Sequence, residues 1–292
     1  MTKDMLVSVQ QQESMDASVT IGAILRSAAC VIDRVDAHWL LQSVLSVDIV
    51  FLMTHAELPL SLEQIACFQQ LLARRIAGEP VAYLMGERGF YDLVFEVTPD
   101  VLIPRPETEL LVETTLSKIP CGRRCNILDL GTGSGAIAIT IARHRPDVNV
   151  TAVDFSPQAL AVARRNAVKH SAENVVFVEA DWFSGFINEK FDVIVANPPY
   201  IAEGDSHLDD LCFEPAIALV AQNNGLDCIR KIVTQAPDYL EHSGWLMFEH
   251  GHDQADACRR LLDKTGFIHI FTRPDLAGID RVTGGQYGSI PA

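Results

Sequence analysis

Asn197-Pro198-Pro199-Tyr200 carries the most specific chemistry in this chain. It follows an apolar run at 191–196 whose composition predicts a buried strand. Two consecutive prolines have no N–H to give, so the chain can continue neither a ladder nor a helix. A carboxamide is thereby left at the carboxyl end of a central strand, where open α/β sheets bind their ligands. The Asn197 oxygen can accept one N–H of a planar –NH2 group. The Pro198 carbonyl, freed by the ring that follows it, can accept the other. That arrangement suits delivery of a methyl group to a weakly nucleophilic nitrogen. Asn197, Pro198 and Tyr200 form the expected catalytic set, Pro199 completes the substrate-binding turn, and Tyr200 is read as a pocket wall rather than a base. A proline-rich turn with an Asn cap would use the same residues, and the tetrapeptide alone does not decide.

Upstream, Asp129-Leu130-Gly131-Thr132-Gly133-Ser134-Gly135 follows a second apolar run and opens a helical one. Glycines here permit a tight turn and close approach of a ligand to the backbone. The third glycine comes one residue too early for the dinucleotide fingerprint, and no Gly-Lys-Ser/Thr follows for a nucleotide phosphate. Asp154 closes the next strand about 20 residues on, where an acid can bond both hydroxyls of a ribose. Asp181 offers an acceptor for an exocyclic amine, and Trp182 an aromatic plane for a purine. Together, Gly131, Thr132, Gly133, Ser134, Gly135, Asp154, Asp181, Trp182 and Asn197 describe a site for an adenosine-bearing cofactor without a pyrophosphate. That cofactor is S-adenosylmethionine.

At 292 residues the chain is long for one domain, and two, one of them small, fit best. With 38 acidic against 23 basic residues and a net charge of −15, a polyanion would be repelled on average, which argues against nucleic acid as the gripped molecule. The pairs Arg74-Arg75, Arg123-Arg124 and Arg164-Arg165 are read as solvated surface. No apolar stretch reaches the roughly 18 residues that span a bilayer, and the polar leader 1–17 lacks the apolar core of a secretory signal. Seven scattered cysteines are the usage of a reducing cytoplasm. Cys121 and Cys125 have no second pair nearby, so no metal is expected; His250 and His252 read as loop residues.

These groups need elements to position them. Residues 18–86 read as a small all-helical domain, with Ser61 and Gln64 forming a capping box and Gly78 ending a helix. A β-hairpin connector at 87–100 follows, with a strand through 89–97 and a turn at Thr98-Pro99-Asp100. Pro104-Arg105-Pro106-Glu107-Thr108-Glu109 opens a helix, with acids in its first turn. From 101 to 292 the pattern is α/β, a doubly wound seven-stranded sheet. Strands are predicted at 126–130, 149–154, 175–179, 191–196, 244–249 and 267–271, with a weaker terminal edge strand at 281–287. The acidic segment 201–214 is read as a long functional loop.

With these motifs assembled, the sequence resembles the peptide chain release factor glutamine methyltransferases of the HemK type. The resemblance rests on Arg74-Arg75-Ile76-Ala77-Gly78-Glu79-Pro80, Leu102 to Glu109, Asp129 to Gly135, Asp181-Trp182-Phe183, Asn197 to Tyr200, Phe213-Glu214-Pro215 and Asp275-Leu276-Ala277-Gly278. It implies a Rossmann-like methyltransferase sheet. It also implies transfer of a methyl group from S-adenosylmethionine to the side-chain nitrogen of the glutamine in the Gly-Gly-Gln motif of release factors. By this resemblance Gly131 to Gly135, Asp154, Trp182 and Asn197 line the cofactor site, and Asn197 to Tyr200 receive the glutamine. The expected product is S-adenosylhomocysteine, the partner a release factor, the location cytoplasmic and the protein a monomer. The chain departs from the family at Asp210-Leu211-Cys212, where an arginine is frequent, and at 281–286, which spells Gly-Gly-Gln in place of a more apolar strand. A ribosomal-protein glutamine, an adenine or guanine amine, or a cofactor-binding role without catalysis are the competing readings.

Overall fold

The computed structural model describes residues 19–120 and 122–288; the polar leader and Cys121 lie outside them. Two compact units divide between Met85 and Gly86.

The first unit is helical: Ile21–Ala28, Arg34–Leu45, Ile49–Thr54, Leu62–Ile76 and Val81–Met85. Each of the first four helices begins with a side chain that accepts an otherwise unpaired N–H of its first turn, from Thr20, Asp33, Asp48 and Ser61. At Ser61 the box is reciprocal: its Oγ accepts from Gln64 N at 3.1 Å, and Gln64 Oε1 accepts from Ser61 N at 2.9 Å. Leu40, Leu41, Leu52 and Phe68 form the core of this unit. Arg74 and Arg75 are paired rather than merely solvated, with Glu79 and Asp36 at 2.5 and 2.7 Å.

The second unit opens with β1 (Glu87–Phe90) and β2 (Leu93–Glu96), an antiparallel pair. Its turn falls at Tyr91-Asp92, inside the segment read as one strand, and the turn expected at Thr98-Pro99-Asp100 follows as a second one, closed by Val101 N donating to the Thr98 carbonyl at 3.1 Å. Tyr91 takes a left-handed φ of 58°, and its N–H is held by Glu109 Oε1 at 2.8 Å. A remote carboxylate thus stabilises a bend that the local composition does not announce.

The large sheet comprises β3 (Asn126–Leu130), β4 (Asn149–Asp154), β5 (Val175–Glu179), β6 (Phe191–Ala196), β9 (Leu240–Glu249), β10 (Phe267–Pro274) and β11 (Asp280–Tyr287). Two short strands, β7 (Ile201–Ala202) and β8 (Val220–Ala221), pair separately in parallel. The order is β10-β11-β9-β6-β3-β4-β5. The five strands from β9 through β6, β3 and β4 to β5 are parallel, and β11 runs antiparallel to both its neighbours. Side chains alternate between two apolar layers, as the two-residue period of a strand requires. Ile127, Val150, Val193, Val195 and Met247 enter one layer, against the helices Glu109–Lys118 and Ala136–His144. Leu128, Val153, Ile194, Leu246 and Phe248 enter the other, against Asp227–Gln235 and Ala255–Lys264. Both faces are covered, which is why the central strands read as continuous apolar runs.

The last strand corrects an expectation. β11 is not at the edge but lies between β9 and β10, and Gly284 and Gly285 are buried. Glycine is needed there because the neighbouring strands close in. A Cβ on Gly284 would lie 2.7 Å from Met247 Cγ and 2.8 Å from both the Leu246 carbonyl and the Phe271 ring. Gly284→Ala is therefore expected to lower the unfolding free energy by about 1–3 kcal/mol through overpacking. This should appear as a lower urea midpoint at unchanged slope; an unchanged midpoint would show that β9 and β11 part freely.

Candidate active site

In this sheet the connections reverse at β3, which has β4 on one side and β6 on the other. Ligands of open α/β sheets collect outside the carboxyl ends of the strands at such a switch point. A cavity of about 360 Å³ lies there, lined by Gly131, Gly133, Asp154, Asp181, Trp182, Asn197 and Pro199 among the expected site residues. Its other walls include Leu102, Phe155, Pro215 and Ile217. Thr132, Ser134 and Gly135 are buried behind the loop. Pro198 and Tyr200 do not line the cavity.

The glycine loop is held by bonds to its own backbone. Gly131 N and Thr132 N both donate to the Val153 carbonyl, at 2.9 and 2.8 Å. Asp154 Oδ2 accepts from Gly133 N at 2.8 Å and Oδ1 from Ser156 N at 2.9 Å. A carboxylate oxygen can accept more than one hydrogen bond, so Asp154 can order the loop and still serve the cavity it lines. Burial pushes its pKa up, and these N–H bonds oppose the shift. Asn166, fully buried, braces the loop from behind. It donates to the carbonyls of Ser134 and Glu96, both at 2.9 Å, and accepts from Glu96 N at 2.7 Å. The hairpin strand β2 is thus pinned to the glycine loop. Over the loop lies Trp182, whose ring is 3.6 Å from where a Gly131 Cβ would stand.

Asn197 is oriented by a chain of three bonds. Its Nδ2 donates to Thr108 Oγ1 at 3.1 Å. Thr108 donates to Glu249 Oε2 at 2.6 Å, and the Tyr200 hydroxyl donates to Glu249 Oε1 at 2.9 Å. Glu249 is 1% exposed, and burial pushes its pKa up. The same burial, with the neighbouring Glu249 charge, pushes the Tyr200 phenol above its ordinary value. Tyr200 therefore stays protonated and faces Glu249 instead of walling the cavity. Its backbone is fixed as well: Gln254 Nε2 donates to the carbonyls of Tyr200 and Asn224, each at 3.0 Å. Gly225 must be glycine, because a Cβ there would fall 1.9 Å from the Tyr200 carbonyl oxygen.

The acidic segment after Tyr200 is more ordered than its composition suggests. β7 at its start pairs with β8, which lies just past its end. Glu214 ties it to the segment before the first helix of this unit, accepting from Ile103 N at 3.0 Å and pairing with Arg105 at 2.5 Å.

Comparison with known proteins places this geometry. The family described as "PrmC N-terminal domain" matches residues 17–86, and "Methyltransferase small domain" matches 106–216. A release factor glutamine methyltransferase from Xylella fastidiosa is 47% identical over 90% of this chain and 97% of its own length. One from Vibrio cholerae is 46% identical over 92% and 98%. The chain belongs to the release factor glutamine methyltransferase family. It is an S-adenosylmethionine-dependent methyltransferase. Among solved structures, a methyltransferase from Pyrococcus furiosus shares the fold, with a TM-score of 0.52 at 18% identity over 76% of this chain and all of that one.

Within this methyltransferase the sequence reading missed Thr108, Glu249, Gln254 and Asn166, whose partners lie far along the chain. It also passed over Phe155, which is exposed beside Asp154 on the cavity wall. Asp129 was quoted but given no role. It is completely buried; Oδ2 accepts from Thr132 at 2.7 Å, and Oδ1 has no partner among the described residues. Burial pushes its pKa up to about 7, against about 3.9 unfolded. Between those values the folded chain keeps a proton that the unfolded chain has lost, so stability falls as pH rises, by up to about 4 kcal/mol in all. Asp129→Asn should remove this slope. In urea titrations from pH 4.5 to 8, the variant should gain on the wild type as pH increases; parallel curves would contradict the assignment.

Proposed function

We propose that this chain methylates the side-chain nitrogen of the glutamine in the Gly-Gly-Gln motif of peptide chain release factors. The observation that carries the reading is the Asn197 carboxamide at the exit of β6, held through Nδ2 and without a partner at Oδ1 among the described residues, on the wall of the cavity. The relatives' names support the substrate, and the net charge of −15 favours a protein partner over a nucleic acid. The reading places the enzyme in the cytoplasm as a monomer.

Gly131 to Gly135, Asp154, Asp181 and Trp182 would hold S-adenosylmethionine. Their fit rests on the cradle of glycines with positive φ at 131, 133 and 135, the carboxylate of Asp154 beside it and the indole above it. When bound, the cofactor supplies a methyl group already activated by its sulfonium, and it leaves as S-adenosylhomocysteine. The task left to the protein is placement, which can supply about 7–11 kcal/mol of a barrier. An amide nitrogen is a poor nucleophile because its lone pair is shared with the carbonyl. Asn197 Oδ1 and the Pro198 carbonyl, which accepts no hydrogen bond among the described residues, would take its two N–H groups and aim the nitrogen. No protein base is needed. Tyr200, kept protonated by its burial and by the neighbouring Glu249, steadies the turn, and the substrate proton departs to water.

The chain's own Gly284-Gly285-Gln286 is not a substrate on this reading. Its glycines are buried within the sheet, and Gln286 Nε2 donates to the Ser243 carbonyl at 2.9 Å. Mass spectrometry after incubation with cofactor alone should find Gln286 unmodified.

The test uses labelled cofactor with a release factor and with its glutamine-to-alanine variant. Label should enter only the first. Asn197→Ala should lower kcat by about 10²–10³-fold, the range seen when a transition-state hydrogen-bonding group is removed, while cofactor affinity moves little. Near-normal turnover in that variant would refute the role.

A further inference from the structure

Resting on that reading, we propose that Thr108 and Glu249 are positioning residues that decide which end of the Asn197 carboxamide faces the substrate. The two ends of a carboxamide have nearly the same shape, so packing alone cannot choose between them. Chemistry can. A threonine hydroxyl has one proton, and at 2.6 Å from Glu249 Oε2 that proton is committed to a carboxylate. The other carboxylate oxygen takes the Tyr200 proton at 2.9 Å. Thr108 then has only lone pairs to offer Asn197, and only Nδ2 can use them, at 3.1 Å. Oδ1 is left toward the cavity as an acceptor. Were the carboxamide reversed, its –NH2 would meet the –NH2 of the substrate, donor against donor, and the amide could be neither bound nor aimed.

The direction of this relay depends on the charge of Glu249. Once protonated, Glu249 can donate to Thr108, Thr108 can donate to Asn197 Oδ1, and the carboxamide turns its wrong end outward. The groups acting on Glu249 are Thr108 and Tyr200 by hydrogen bonds, Arg281 of β11 favouring its charge and Glu107 opposing it. Arg105 acts on Tyr200. The adjacent His250 is turned away, engaged with Gly251 and Thr283.

The experiment compares Thr108→Val, Thr108→Ser and Glu249→Gln in the full chain, with cofactor and a release factor. Removing the hydroxyl in Thr108→Val should lower kcat by about 10–100-fold, as loss of a supporting shell does. KM for the release factor and Kd for the cofactor should change less than about 3-fold, since only transition-state placement is lost. Thr108→Ser keeps the relay and should recover most of kcat. Glu249→Gln can present either end of its own amide to Thr108, so it should be impaired, and the acidic limb in kcat expected of the wild type from protonation of Glu249 should be absent from it. Full activity in Thr108→Val, or a serine variant no better than valine, would overturn the proposal.

A substrate-free readout separates this from the function itself. In the proton–nitrogen spectrum of the protein, the Asn197 side-chain amide (identified by its absence in Asn197→Ala) should show a hydrogen-bonded proton. That signature should persist in Thr108→Ser and vanish in Thr108→Val. If the release factor is not methylated but this pattern holds, the functional reading fails and the positioning role stands. If methylation occurs and the resonance ignores Thr108, the reverse is true. Thermal melting and cofactor binding confirm that each variant is folded.

Discussion

A carboxylate sealed from water must have hydrogens aimed at it, and Glu249 at the end of β9 receives two. They come from Thr108 and Tyr200, 141 and 49 residues away in the chain. One buried carboxyl group therefore draws together the segment that precedes β3, the turn that leaves β6 and the terminus of β9. The turn could not be held so firmly by its own backbone, because its two prolines have no N–H to contribute. Side chains do the work that a ladder does elsewhere: Glu249 secures the Tyr200 hydroxyl, Gln254 the Tyr200 carbonyl, and Thr108 the Asn197 amide.

The same economy appears at the cofactor loop. Asp154, expected to serve a ribose, also has a structural task, while the cap of the helix Pro157–Lys169 is Ser156, whose Oγ accepts from Ala159 N at 3.1 Å. The Asp154 oxygens accept from Gly133 and Ser156, and it also lines the cavity. A loop held by a residue of the cavity wall is shaped before any ligand arrives, which reduces the ordering cost of binding. Asn166 extends that brace to the hairpin, so β1 and β2 belong mechanically to the catalytic unit.

The sequence made the parallel part of the sheet legible. The ranges of β3, β4 and β6 coincide with their apolar runs because both faces of these strands are covered, whereas β5, at the edge of the sheet, keeps its apolar run although Val176 is exposed. β9 begins earlier, at Leu240, since Glu241, His242 and Ser243 are exposed and carry no apolar signal. The interior position of β11 was hidden because glycines read as a weak strand when their neighbours are unknown. The Tyr91-Asp92 turn was hidden because its stabiliser, Glu109, lies 18 residues downstream. At the site, Asn197 and the glycine loop declare themselves through local motifs. Thr108 did not, although the Pro104 to Glu109 motif containing it was noticed, because a hydroxyl gains meaning only from its partners in space.

The place of β11 also bears on how the molecule is made. β11, the last strand among the described residues, is inserted between β9 and β10, both synthesised before it. Until those last residues are available, the sheet carries two open ladders facing one another across a strand-wide gap. Non-local pairing of this kind is slow to form and leaves unpaired edges exposed while it waits. Removal of residues 280–287 would thus leave β10 without a ladder partner among the described residues, and the sheet open along its middle.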